Sequence, residues 1–166
     1  MKAKSKQPKQ KLKPKSKSPL KKQKPLRIAV VTARFNEEIT SKLEDGAFDL
    51  LEEIGAEILS VKVPGAIEIP LAVQALFDRK IIDGVVAIGC VIRGDTSHYD
   101  YVCQSVERGC SELMLQYKKP VAFGVLTTEN EEQANARAGG VHGNKGYEAA
   151  QVVVEMIGPL KEIESI

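Results

Sequence analysis

The run Val85-Val-Ala-Ile-Gly-Cys-Val-Ile92 is apolar at every position, and it stops abruptly at the polar turn Arg93-Gly-Asp-Thr-Ser97. A strand apolar on both parities belongs in the middle of a parallel sheet, with helices covering both faces. Its carboxyl end must then carry the polar residues that follow to the rim of the sheet. Ligands of open α/β sheets bind at that rim, and the unpaired N–H groups of a starting helix favour anions there. His98 falls in the first turn of the helix that Thr96 or Ser97 would cap.

The remainder of the chain supplies the partners such a strand needs. Residues 26–32, 56–63 and 120–126 read as three further strands. Between them lie an amphipathic helix over 38–54 stopped by Gly55, a helix over 68–79 with Pro70 tolerable in its first turn, and a helix over 97–117. A short helix over 130–138 capped by Asn130, and a long one over 145–163, complete the body. This βαβαβαβα order with one extra helix predicts an α/β fold. The expected form is a flavodoxin-like three-layer sandwich: a parallel four-stranded sheet in the order 2-1-3-4 with helices on both faces. No internal repeat is visible.

Charge divides the 166 residues into two parts. Residues 1–25 hold 11 lysines and no acid, interrupted by Pro, Ser and Gln, so they have almost nothing to bury and are expected to form a disordered tail. Residues 26–166 are expected to form one domain, with 13 Lys and Arg against 22 Asp and Glu, a net charge of about −9. The overall +2 describes neither part. No apolar run reaches the roughly 18 residues of a membrane span, and the tail lacks the apolar core of a secretion signal. Cys90, Cys103 and Cys110 are too few and too irregularly placed for a disulfide framework or a Cys-x-x-Cys metal knuckle, which fits a reducing cytoplasm.

Four strand ends should converge on one rim, and each carries residues with two readings. Phe35 either stacks on a planar ligand or tucks under the first helix. Glu68 either accepts hydrogen bonds from ligand hydroxyls or is a favourable acid in a helix's first turn. Gly94-Asp-Thr-Ser97 is either an anion nest or a simple cap. His98 is either a proton carrier near neutral pH or a packed or surface histidine. Arg137 and Lys145 bracket the Gly-rich segment Ala138-Gly-Gly-Val-His-Gly-Asn144, and beside an acidic body they are either phosphate ligands or a solvated cationic face.

Several chemistries have no residues to carry them. There is no Gly-x-Gly-x-x-Gly after the first strand, no Gly-Lys-Ser/Thr loop, no Gly-x-Ser-x-Gly elbow and no His-x-Glu with Pro-Cys-x-x-Cys. Cys90 has no adjacent base, which argues against a nucleophile. Thr32-Ala-Arg-Phe35 replaces the paired acids a phospho-receiver would need.

Four motifs in order carry a family resemblance: Arg34-Phe-Asn36; Val63-Pro-Gly-Ala-Ile-Glu-Ile-Pro70; Gly89-Cys-Val-Ile-Arg-Gly-Asp-Thr-Ser-His-Tyr-Asp-Tyr-Val102; and Phe123-Gly-Val-Leu-Thr-Thr-Glu-Asn130 followed by Arg137-Ala-Gly139 and Gly143-Asn-Lys-Gly146. Over about residues 26–160 the chain resembles the lumazine synthases of riboflavin biosynthesis. The resemblance implies condensation of 5-amino-6-(D-ribitylamino)uracil with 3,4-dihydroxy-2-butanone 4-phosphate, without a metal or organic cofactor. It implies Phe35 and Asn36 at the pyrimidine, Ala66, Ile67 and Glu68 at the ribityl chain, and the backbone of Cys90, Val91 and Ile92 at the uracil edge. Asp95, Thr96 and Arg137 then hold the phosphate, His98 transfers protons, and Phe123 and Lys145 come from a neighbouring subunit. It further implies homo-pentamers, which in some members build sixty-subunit capsids. A riboflavin-binding paralogue, the related archaeal-type riboflavin synthase, a flavodoxin-like binding or signalling module and a scaffold that binds nucleic acid or another polyanion through the tail are the alternatives.

Overall fold

The computed structural model describes residues 24–166. The proposed tail of residues 1–25 therefore lies, except for Lys24 and Pro25, outside the described residues. Four parallel strands, β1 (Arg27–Ala33), β2 (Glu57–Val63), β3 (Gly84–Ile92) and β4 (Val121–Thr128), pair in the order β2-β1-β3-β4. This is the expected 2-1-3-4 sheet.

The sheet's core follows from side-chain alternation. In β1, Ile28 and Val30 face α1 (Glu37–Glu53) and α5 (Lys145–Glu164), packing with Leu43, Val86, Ile88, Ala150 and Val153. Ala29 and Val31 face the opposite way, with Val73 and Phe77 of α2 (Ile69–Asp78) and Val106 of α3 (His98–Tyr117). β3 contributes to both clusters and is buried from Gly84 to Cys90, as its unbroken apolar run requires. At the edge, β2 is mostly exposed. Its neighbourhood holds one buried charge, Glu44, whose carboxylate accepts from Thr32 Oγ1 at 2.9 Å, from Ser60 Oγ at 3.3 Å and from Lys62 Nζ. With every oxygen partnered, that carboxylate fastens α1 to β1 and β2.

Pro70 sits at the start of α2, where its missing N–H has no partner to lose. A 3-10 turn, Ala66–Glu68, precedes that helix and holds the Pro64-Gly65 loop against the sheet. Asn130 caps the short helix α4 (Glu131–Arg137) by accepting from Gln133 N at 2.9 Å, as its sequence position suggests.

The structure departs from expectation in the Gly-rich segment. In place of a plain loop, β5 (Ala138–Gly140) and β6 (Gly143–Asn144) form a small antiparallel hairpin. Gly139 and Gly143 adopt φ +99° and +73°, which a residue with a Cβ would resist. Asn144 then caps α5, accepting from Gly146 N at 2.9 Å and Tyr147 N at 3.2 Å, while its Nδ2 donates to Lys42 O at 2.7 Å. Gly146 lets α5 pass so close to α1 that a Cβ there would meet Leu43 O at 1.8 Å. The same bonds fix where Arg137 and Lys145, at the two ends of the hairpin, stand relative to β4.

Candidate active site

β3 runs further than its neighbour β1. Pairing between them ends at Thr32↔Ile88, whereas β3 stays paired with β4 out to Ile92↔Thr128. Residues 89–92 therefore expose one edge of backbone, and a cleft of about 460 Å³ opens against it. The cleft is lined by Phe35, by Ala66, Ile67 and Glu68, by Cys90, Val91 and Ile92, and by Thr96 and His98. Nine of the fourteen residues expected at a site thus share one hollow at the strands' carboxyl ends.

Phe35 is 70% exposed, which removes the reading that tucks it under α1 and leaves its ring face open to the cleft. Its place is set by backbone bonds from Arg34 N to Val63 O, 2.8 Å, and from Phe35 N to Pro64 O, 3.1 Å. Asn36 does not line the hollow. It adopts a left-handed conformation at the start of α1 (φ +58°), and its Nδ2 donates to Cys90 O at 2.9 Å. A carbonyl oxygen has two lone pairs, so Cys90 O keeps one for a ligand while Asn36 fixes its direction.

The turn after β3 brings Thr96 and His98 to the opposite wall. Ser97 occupies the cap position of α3 but makes no side-chain cap bond; instead Thr96 Oγ1 accepts from His98 N at 3.3 Å. His98 is exposed at the first position of the helix, and Asp95, also exposed, is not among the residues that line the cleft. Arg93, beside the turn, is already paired with Asp100 and Glu129. Gly94, read from sequence as part of an anion nest or cap, completes the wall with Pro64, Gly65, Tyr99 and Val102, which lie within the four motifs without an assigned role.

The remaining three expected residues, Phe123, Arg137 and Lys145, line a second hollow of about 390 Å³ beside the edge strand β4. None of them lines the first hollow. Arg137 Nη1 donates to Gln133 O at 2.9 Å, and among the described residues its guanidinium has no carboxylate partner. Lys145 is paired with Glu148 at 2.6 Å. Within one chain, then, the cation best able to meet a phosphate stands apart from the Thr96–His98 turn.

Burial pushes the Cys90 thiol up to about 11, with the charge of Glu131 adding to the effect. At neutral pH it is a thiol packed in the core, 3% exposed, and no thiolate nucleophile is present. His142 lies exposed at the hairpin tip and lines neither hollow. Among the described residues no group of three or more His, Cys, Asp and Glu is placed to hold a metal ion. No helix there is long and apolar enough to cross a membrane.

A family model described as 6,7-dimethyl-8-ribityllumazine synthase matches residues 25–161. The 6,7-dimethyl-8-ribityllumazine synthase of Bdellovibrio bacteriovorus is 66% identical over 139 residues, covering 83% of this chain and 77% of the relative. That of Coxiella burnetii is 48% identical over 141 residues, covering 83% of this chain and 93% of the relative. That of Cytophaga hutchinsonii is 48% identical over 131 residues, covering 77% and 82%.

Replacing Cys90 by Ala removes the thiol but not the backbone groups at the cleft. Turnover of the C90A variant is expected to stay within about threefold of the parent, with a stability loss of about 1 kcal/mol from the small cavity. A loss of a hundredfold or more in a folded variant would return the thiol to the chemistry.

Proposed function

The chain belongs to the 6,7-dimethyl-8-ribityllumazine synthase family, and on that premise we propose how its residues divide the work. The enzyme is a transferase of riboflavin biosynthesis that joins 5-amino-6-(D-ribitylamino)uracil to 3,4-dihydroxy-2-butanone 4-phosphate, releasing lumazine, phosphate and water. The observation that carries the residue assignments is the shared cleft, in which an exposed aromatic face, a free backbone edge, a carboxylate and a histidine surround one space.

In this reading Phe35 stacks on the pyrimidine, and the backbone of Cys90, Val91 and Ile92 meets the uracil edge. Asn36 acts from behind, by orienting Cys90 O. Ala66 and Ile67 bound the ribityl chain while Glu68 accepts from its hydroxyls. The amides of Asp95 and Thr96 and the guanidinium of Arg137 hold the phosphate. Imine formation requires a proton to leave the amine and another to reach the departing hydroxyl; phosphate loss and ring closure move further protons. His98, exposed at the cleft, serves these steps in turn. Holding both substrates against one wall supplies the rest, since orientation alone is worth several kcal/mol.

Arg137, Phe123 and Lys145 line a separate hollow, so they serve the cleft of a neighbouring copy. The proposed assembly is a homo-pentamer in which each contact joins one chain's cleft to the next chain's second hollow; nothing in residues 137–146 adds bulk against a further sixty-subunit shell. A cytoplasmic location fits three free cysteines. Residues 1–25, repeated around such an assembly, concentrate lysines enough to bind a nucleic acid with salt-sensitive affinity.

His98→Ala is expected to lower kcat by about ten- to a hundredfold without altering the folding transition. Arg137→Ala is expected to raise KM for the butanone phosphate by about tenfold or more. Unchanged steady-state constants in either variant would remove that residue from its role. Deleting residues 1–25 should leave turnover intact and abolish retention of a DNA fragment at low salt; a full-length protein that binds none would end the tail proposal.

A further inference from the structure

Arg93 is the cation nearest in sequence to the Gly94-Asp-Thr96 turn, yet its charge is committed elsewhere. Nε donates to Glu129 Oε2 at 2.8 Å, while Nη2 and Nη1 donate to Asp100 Oδ1 and Oδ2 at 3.2 and 3.4 Å. The guanidinium carbon stands 4.1 Å from the centroid of the Tyr99 ring. The backbone N–H of Arg93 donates to Thr128 O at 2.9 Å. One residue thereby joins the end of β3, the first turn of α3 and the turn between β4 and α4.

The segment that this residue spans has little fastening of its own. Residues 93–98 are all exposed, Ser97 forms no side-chain cap, and the Thr96–His98 bond is long at 3.3 Å. A Cβ added at Gly94 would meet nothing within 4 Å. The course of the turn is therefore decided at its two ends, and Arg93 with its partners Tyr99 and Asp100 forms the side-chain link between them.

Magnitudes separate two consequences. The side chains of Arg93, Asp100 and Glu129 are 37%, 48% and 57% exposed, and ion pairs so wet contribute little to folding. A guanidinium held by a two-pronged carboxylate contact and by an aromatic face is nevertheless fixed in orientation. Misplacing a reacting group by about 1 Å lowers turnover by roughly a hundredfold. The same contacts that matter little to stability matter greatly to a turn carrying Thr96 and His98.

We infer, resting on the roles given above to His98 and the Asp95-Thr96 amides, that Arg93 is a positioning residue: a clasp across residues 93–100 that holds the phosphate-binding turn and the proton carrier in register with the cleft. It does not itself bind the phosphate, because two carboxylates already satisfy it. A Lys in its place keeps the charge but loses the fork and the stacking.

The experiment compares steady-state constants and melting temperatures of Arg93→Met, Arg93→Lys, Asp100→Asn and the double variant Arg93→Met/Asp100→Asn, with His98→Ala alongside. R93M is expected to lose about 10- to 100-fold in kcat, with KM for the butanone phosphate within about threefold and a melting temperature within about 4 °C. R93K recovers less than half of that loss on a logarithmic scale. D100N shows a smaller loss and adds nothing in the R93M background, since both break one link. Four results overturn the clasp: unchanged kcat in R93M, full recovery in R93K, multiplying losses in the double variant, or a rise confined to the phosphate KM, which would make Arg93 a ligand. Full activity in H98A would instead overturn the proton-transfer assignment, whereas loss in H98A with full activity in R93M overturns the clasp alone.

Discussion

Burial of β3 on both faces constrains everything built around it. From Gly84 to Cys90 the strand is buried, its apolar side chains packed in one set beneath α1 and α5 and in another beneath α2 and α3. A strand so enclosed has no place for a charged or hydrogen-bonding side chain without a partner. Polar function can begin only where cover ends, and cover ends at Val91 and Ile92, where exposure rises before Arg93. Because β1 stops pairing four residues earlier, the same stretch offers backbone groups as well as side chains. The cleft is thus a consequence of unequal strand lengths in a sheet whose centre is sealed.

The opposite edge of β3 is covered by β4, and among the described residues β4 has no further strand beside it. This edge strand carries Phe123, 41% exposed, next to a half-buried Arg137 with no carboxylate partner among the described residues, which suits a surface for contact. Arg137 lines a hollow apart from the Thr96–His98 turn in the single chain; in the proposed pentamer it would meet that turn only where two copies come together.

Much of this was legible in the residues. Apolar runs marked all four strands, and the single order of strands and helices led to 2-1-3-4. Pro70 and Asn130 signalled their helix starts through the N–H groups they lack or satisfy. The hairpin over residues 138–144 was not legible, because its strands are three and two residues long and their glycines read as loop. Nor was the part played by Asn36, whose bond to Cys90 O crosses 54 positions, or that of Arg93, whose partner Glu129 is 36 positions away. Local patterns report periodicity and caps; they hold no information on which distant side chain will stand opposite. Phe35 shows the intermediate case: its type and place in a turn permitted two readings, and its exposure in the folded chain tells against the one that buried it under α1.

Mixing two inactive variants tests the shared site most directly. His98→Ala spoils the cleft and Arg137→Ala the second hollow, so subunits unfolded together and refolded at equal ratio would place an intact cleft against an intact second hollow at about a quarter of random contacts. The predicted result is recovery of roughly that fraction of parent activity under phosphate-limited conditions, where each variant alone is weak. Activity no higher than the average of the two separate variants, in assemblies verified as mixed, would mean that each chain completes its own site.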